Sequence, residues 1–83
     1  MIIMKDKHRF ELTVDAFYHA WLAVLREYVP GRLHPTLHLL RVFDTRESAI
    51  EGIRRRWRVL FPDQGPLVWH DASVKHPQRP ANR

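Results

Sequence analysis

Thr13-Val14-Asp15-Ala16-Phe17-Tyr18-His19-Ala20-Trp21-Leu22-Ala23-Val24-Leu25-Arg26-Glu27-Tyr28-Val29 is the stretch whose reading decides the architecture. Taken as one element it is a helix. Val14, Phe17, Trp21, Val24, Leu25 and Tyr28 recur at helical spacing, with Asp15, His19 and Arg26 on the opposite side. Thr13 stands where an N-cap hydroxyl accepts from the first-turn amides, and Asp15 adds negative charge at the positive end of the helix dipole. Pro30-Gly31 ends the pattern.

Upstream, His8, Phe10 and Leu12 alternate with Lys7, Arg9 and Glu11, the pattern of a half-buried strand over residues 8–12, with a start at Ile2 as the longer alternative. Downstream, His34 precedes a proline and is pushed towards extended geometry, so residues 31–35 read as a loop. Thr36–Phe43 reads as a strand. A short helix there, placing Leu37, Leu40 and Phe43 or Arg41 on neighbouring faces, is the competing assignment. The strand is preferred because Asp44 followed by Glu47 resembles a capping box, a start signal that a continuing helix would not need. A second helix then spans Thr45 to Phe61, burying Ile50, Ile53, Trp57, Leu60 and Phe61, and Pro62 stops it. Asp63-Gln64-Gly65-Pro66 forms a turn, and Leu67 to Val74 alternates as a last strand.

The expected fold is therefore α+β in the order β-α-β-α-β, with two helices on one face of a three-stranded sheet. If residues 36–43 are helical, a mostly helical bundle replaces it. With 83 residues, 45% of them apolar and 28% charged, the chain has the composition of one ordinary globular domain. That domain is expected over residues 1–74, followed by a flexible basic tail over 75–83. A core this small leaves room for stabilisation by self-association, so a homo-oligomer is compatible with the sequence. Lys5, Asp6 and Lys7 break the apolar start too early for a signal peptide, and no apolar stretch approaches the ~20 residues of a membrane span. A soluble, cytoplasmic protein without a membrane partner is the expectation.

Charge is unevenly spread. Arg54, Arg55, Arg56 and Arg58 around Trp57 contribute +4, and Lys75, Arg79 and Arg83 contribute +3, whereas the whole chain carries +5, so the remainder is net negative. Local excess of this kind marks a surface suited to an anionic partner. Arg54 and Arg58 stack one turn apart, Arg55 points outward and Arg56 falls on the other flank. Glu51 stands four residues before Arg55 and can neutralise part of this charge. Arg54, Arg55, Arg58, Arg56, Lys75 and Arg79 are the candidate binding cations, and guanidinium forks suit phosphate and carboxylate. The ordinary alternative is that long arginine stems cover the rim of a small core and complement the helix C-terminus. Tyr18 and Trp69 are the aromatic candidates, Trp69 lying on an open sheet face or in the core according to which face the helices cover.

Catalytic and metal signatures are weak. Cysteine is absent, which removes thiol nucleophiles and thiolate zinc sites. Gly31, Gly52 and Gly65 are too scattered for a phosphate loop. His34 and His38 are four apart but separated by Pro35, and no third ligand is evident. Neither a metal, a cofactor nor an enzymatic activity is expected. An enzyme would require a cleft in which His70, His8 or His38 meets a carboxylate. The leading expectation is a small binding protein that engages a polyanion, namely nucleic acid or a nucleic-acid-handling complex. The alternative is a protein-interaction module, an inhibitor or adaptor docking on a larger assembly through aromatic and arginine anchors. In size and style, with no motif behind the likeness, the chain resembles accessory proteins of phages and mobile elements, among them inhibitors of bacterial defence complexes.

Overall fold

A computed structural model describes residues 1–70 and shows a four-stranded antiparallel sheet followed by one helix. The strands are β1 (Ile2–Lys5), β2 (His8–Phe17), β3 (Ala20–Tyr28) and β4 (Thr36–Phe43), and the helix is α1 (Arg46–Leu60). The sheet order is β1-β2-β3-β4, each strand pairing antiparallel with the next. This overturns the expected β-α-β-α-β order with two helices on three strands.

The decisive difference lies in residues 13–29. They form no helix: the second half of β2 and the whole of β3 fold back on each other, with Phe17 opposite Ala20 and Val14 opposite Ala23. The hairpin loop is Tyr18-His19, and Tyr18 adopts φ 57. Positive φ at the first central position alone is the sign pattern of a II′ turn, which matches strand twist but normally takes glycine. The β1–β2 connection is equally compact. Asp6 and Lys7 both have positive φ, 52 and 69, between the paired Lys5 and His8, as in a type I′ turn. β2 contains the strand expected over residues 8–12, while Ile2–Lys5 is a separate strand, so residues 2–12 form a hairpin and not one longer strand.

β4 coincides with the strand expected over Thr36–Phe43. α1 opens one residue later than the Asp44 signal suggests: Thr45 is the N-cap, its Oγ1 accepting from the Ser48 amide at 3.0 Å. It closes where Phe61 N–H reaches the Trp57 carbonyl, just before Pro62. Leu67–His70 belong to no strand, contrary to the last strand expected from Leu67; its remainder, the domain limit at residue 74 and the basic tail lie outside the described residues.

Alternation sorts each strand into two faces. Phe10, Leu12, Ala23 and Leu25 face α1 and close a core with Ala49, Ile53, Trp57 and Leu67. Trp57 meets Phe10 edge to face at 5.3 Å and lies 4.6 Å from Phe61. Gly52 lets α1 approach β4 closely, because a Cβ there would displace the Phe43 ring. The opposite face carries Leu37, Leu40 and Val42 on β4 and Ile2 and Met4 on β1, all exposed among the described residues. Between them, Tyr28 donates to Glu11 at 3.2 Å, Arg26 approaches Glu11 at 3.8 Å, and Arg9 lies over the Tyr28 ring.

β4 contains one irregularity that matters for chemistry. Leu25 pairs with Leu39 but Arg26 pairs with Leu37, so His38 is the extra residue of a bulge. The bulge turns His38 onto the helix-side face, where its ring stacks over Phe10.

Candidate anion-binding groove and a histidine–glutamate pocket

α1 exposes its arginines because Ala49, Ile53 and Trp57 occupy the buried stripe. Arg54, Arg55 and Arg58 line one groove of about 340 Å³ with Glu51 and the extended segment Pro66–Val68. The groove exists because the turn after Pro62 brings Leu67 back under the helix, leaving the outer flank of α1 facing Val68. One carboxylate serves two of the guanidiniums: Glu51 is 3.8 Å from Arg54 and 3.4 Å from Arg55. These pairs are open to water, with the Arg55 side chain 80% exposed, so they leave most of the positive charge available. Arg58 and Arg56 have no ion pair among the described residues, and Arg56 lies outside the groove.

The other expected site residues scatter. Tyr18 is 89% exposed at the tip of the β2–β3 hairpin, edge-on to Phe17, and does not line the groove. Trp69 does not lie on the open face: it packs half-buried against the core, with Nε1 enclosed and lacking a hydrogen-bond partner among the described residues. Lys75 and Arg79 lie outside the described residues.

A second constellation involves a residue absent from the sequence-derived site, Glu27. It projects from β3 onto the helix-side face, diagonal to His8 on β2 and beside the bulged His38 on β4. His8 Nδ1 lies 2.5 Å from Glu27 Oε2, and His38 Nε2 lies 2.8 Å from Oε1. The His38 hydrogen bond, reinforced by His8 and opposed by burial, holds the Glu27 carboxyl below its ordinary value. An ionised carboxylate accepts only, so both imidazoles donate, which assigns Nδ1–H to His8 and Nε2–H to His38. Two ring nitrogens remain unused by Glu27, Nε2 of His8 and Nδ1 of His38. The three side chains border a pocket of about 320 Å³ completed by Lys5, Asp6 and the apolar Phe10, Leu60 and Phe61. Lys5 Nζ reaches Gln64 Oε1 at 2.6 Å and hovers over the Phe61 ring.

The signal for Glu27 was present in its parity with Ala23 and Leu25, but it becomes visible only once residues 20–28 are read as a strand. Among the described residues no group of three or more His, Asp and Glu is arranged to hold a metal ion. Comparison with protein-family models, curated proteins and solved structures returns no match.

Glu27 yields a pH prediction. Its carboxyl is depressed in the folded state, so its contribution to stability is present above the unfolded value near 4.5 and is lost as pH falls through the folded one. The urea midpoint of the wild-type chain is expected to drop more between neutral and strongly acidic pH than that of Glu27→Gln. Equal drops would show that the carboxylate contributes nothing to this dependence.

Proposed function

We propose that the chain is a nucleic-acid-binding protein that grips the phosphate backbone with Arg54, Arg55 and Arg58. The observation carrying this reading is the shared groove: three guanidiniums converge on one surface with a single carboxylate among them. Guanidinium donors form short charge-assisted bonds to phosphate oxygens, and a groove of several such donors fixes a strand without reading its bases. No base-reading motif accompanies the arginines, so recognition is of the backbone. The test is affinity for a mixed-sequence duplex as a function of salt. Three phosphate contacts give a slope of log K against log salt of about −2.7, a loss of roughly 40-fold between ~50 and ~200 mM. A complex indifferent to salt, or none at low salt, removes the proposal.

A second reading is supported by a separate observation. Leu37, Leu40 and Val42 are about half exposed side by side on strand β4, with Ile2 and Met4 on β1 at the opposite edge of the same face, which no other described element covers. Apolar area of this kind favours a protein partner. A partner retained after nuclease digestion, and released by Leu40→Glu while nucleic-acid affinity is unchanged, belongs to that reading. Among the described residues no helix is long and apolar enough to cross a membrane.

A further inference from the structure

His8, Glu27 and His38 meet the condition that the sequence leaves open for an enzyme, two imidazoles converging on a carboxylate inside a pocket. The carboxylate holds one nitrogen of each ring and leaves the second nitrogen of each outside that interaction, and both residues border the pocket, the arrangement by which a general base and a general acid are prepared. Imidazole is the side chain suited to exchanging protons near neutral pH. The pocket volume, about 320 Å³, lies at the lower end of the ligand-site range of ~300–1,000 Å³. His8 has a side chain about one-third exposed, and His38 is more enclosed at 19%. The other charged groups bordering the pocket are Lys5 and Asp6 at the β1–β2 turn, while α1 and the residue after it contribute only Leu60 and Phe61.

We propose that this pocket cleaves single-stranded RNA by internal transesterification, with His8 as base, His38 as acid and Lys5 facing the phosphate. His8 Nε2 removes the proton of a ribose 2′-hydroxyl, and O2′ forms a bond to the adjacent phosphorus. The bond from phosphorus to O5′ breaks, its electron pair leaves on O5′, and His38 in its protonated form supplies the proton through Nδ1–H. The products are a 2′,3′-cyclic phosphate and a 5′-hydroxyl, and no oxidant, reductant or further reactant enters. Lys5 Nζ has one of its three hydrogens on Gln64, so two remain for the developing charge on the phosphate oxygens. Glu27 is a positioning residue that holds both rings. The inference rests on the nucleic-acid reading, because the arginine groove is what would bring a phosphodiester strand to the protein.

The experiment uses the whole chain and a short mixed-sequence RNA, its 2′-O-methyl counterpart and the corresponding DNA. Binding and product formation are measured in the same samples. The expected result is a 2′,3′-cyclic phosphate end from RNA alone, formed in the presence of a chelator, with a bell-shaped pH–rate profile. His8→Gln and His38→Gln are each expected to lower the rate by about 10²–10⁴-fold with RNA affinity retained. RNA that is bound but left intact by the wild-type chain overturns cleavage and leaves the binding reading standing. RNA that is neither bound nor cleaved overturns both. Cleavage undiminished in both histidine variants, or without either limb of the pH profile, assigns it to something other than this pocket and overturns the inference. Should a histidine variant fail to fold, the wild-type products and pH profile still decide the outcome.

Discussion

Replacing Trp57 by alanine is expected to cost about 3–5 kcal/mol, the range for truncating a buried large aromatic side chain. For a chain of 83 residues, total stability at ~0.05–0.15 kcal/mol per residue comes to roughly 4–12 kcal/mol, so this one change removes a large part of it. The reason is position. Trp57 is 4% exposed and joins the helix to the sheet through Phe10, while its other flank supports Phe61 at the end of α1. Among the described residues there is no second helix to close over the gap. Urea denaturation followed by circular dichroism should show the midpoint moving far towards zero denaturant with little native baseline left. Tyr18→Ala supplies the contrast, since an aromatic ring 89% exposed at a hairpin tip should shift the midpoint little. Comparable shifts for the two variants would mean that α1 is not held through Trp57.

The same residues show why part of this fold is legible from sequence and part is not. α1 announces itself because Ile53 and Trp57 lie one turn apart and Pro62 follows its end, although the start signal read at Asp44 belongs to Thr45. β4 is legible through its β-branched and aromatic content between a proline and a helix start. Residues 13–29 mislead because Val14, Phe17, Trp21, Val24, Leu25 and Tyr28 fit a helical period, while Val14 and Ala23 also satisfy a strand alternation. Only the turn breaks the tie, and it is written in Tyr18-His19, residues that carry no glycine or asparagine signal for positive φ. Missing that turn costs more than one element. Glu27 is invisible as a site residue on a helix, and His38 reaches it only through a bulge that no local residue type marks. By contrast the convergence of Arg54, Arg55 and Arg58 needs only helical geometry, and the groove contains all three.

Changing Arg54, Arg55 and Arg58 together to glutamate is expected to abolish binding to a nucleic-acid duplex at moderate salt. The substitution takes the formal charge from +5 to −1, yet its effect should exceed what net charge accounts for. Each charge-assisted hydrogen bond contributes at least ~1.5 kcal/mol, so losing three weakens binding by about 4.5 kcal/mol, more than ~10³-fold. Repulsion between the new carboxylates and the phosphates adds to that. A companion reversal of Lys7, Arg32 and Arg41, exposed cations outside the groove, reaches the same net charge and should keep most of the affinity. Helix stability must be separated from binding, because three glutamates beside Glu51 introduce like-charge i,i+3 and i,i+4 pairs costing ~0.2–0.5 kcal/mol each. The triple glutamine variant avoids those pairs and should still flatten the salt dependence towards zero slope. Glu51→Gln acts in the opposite direction: it releases Arg54 and Arg55 from their shared carboxylate and should tighten binding. Equal losses from the groove and the companion reversals would reduce the interaction to net charge. A loss confined to the groove variants, with tightening by Glu51→Gln, is the pattern that a built phosphate-gripping surface produces.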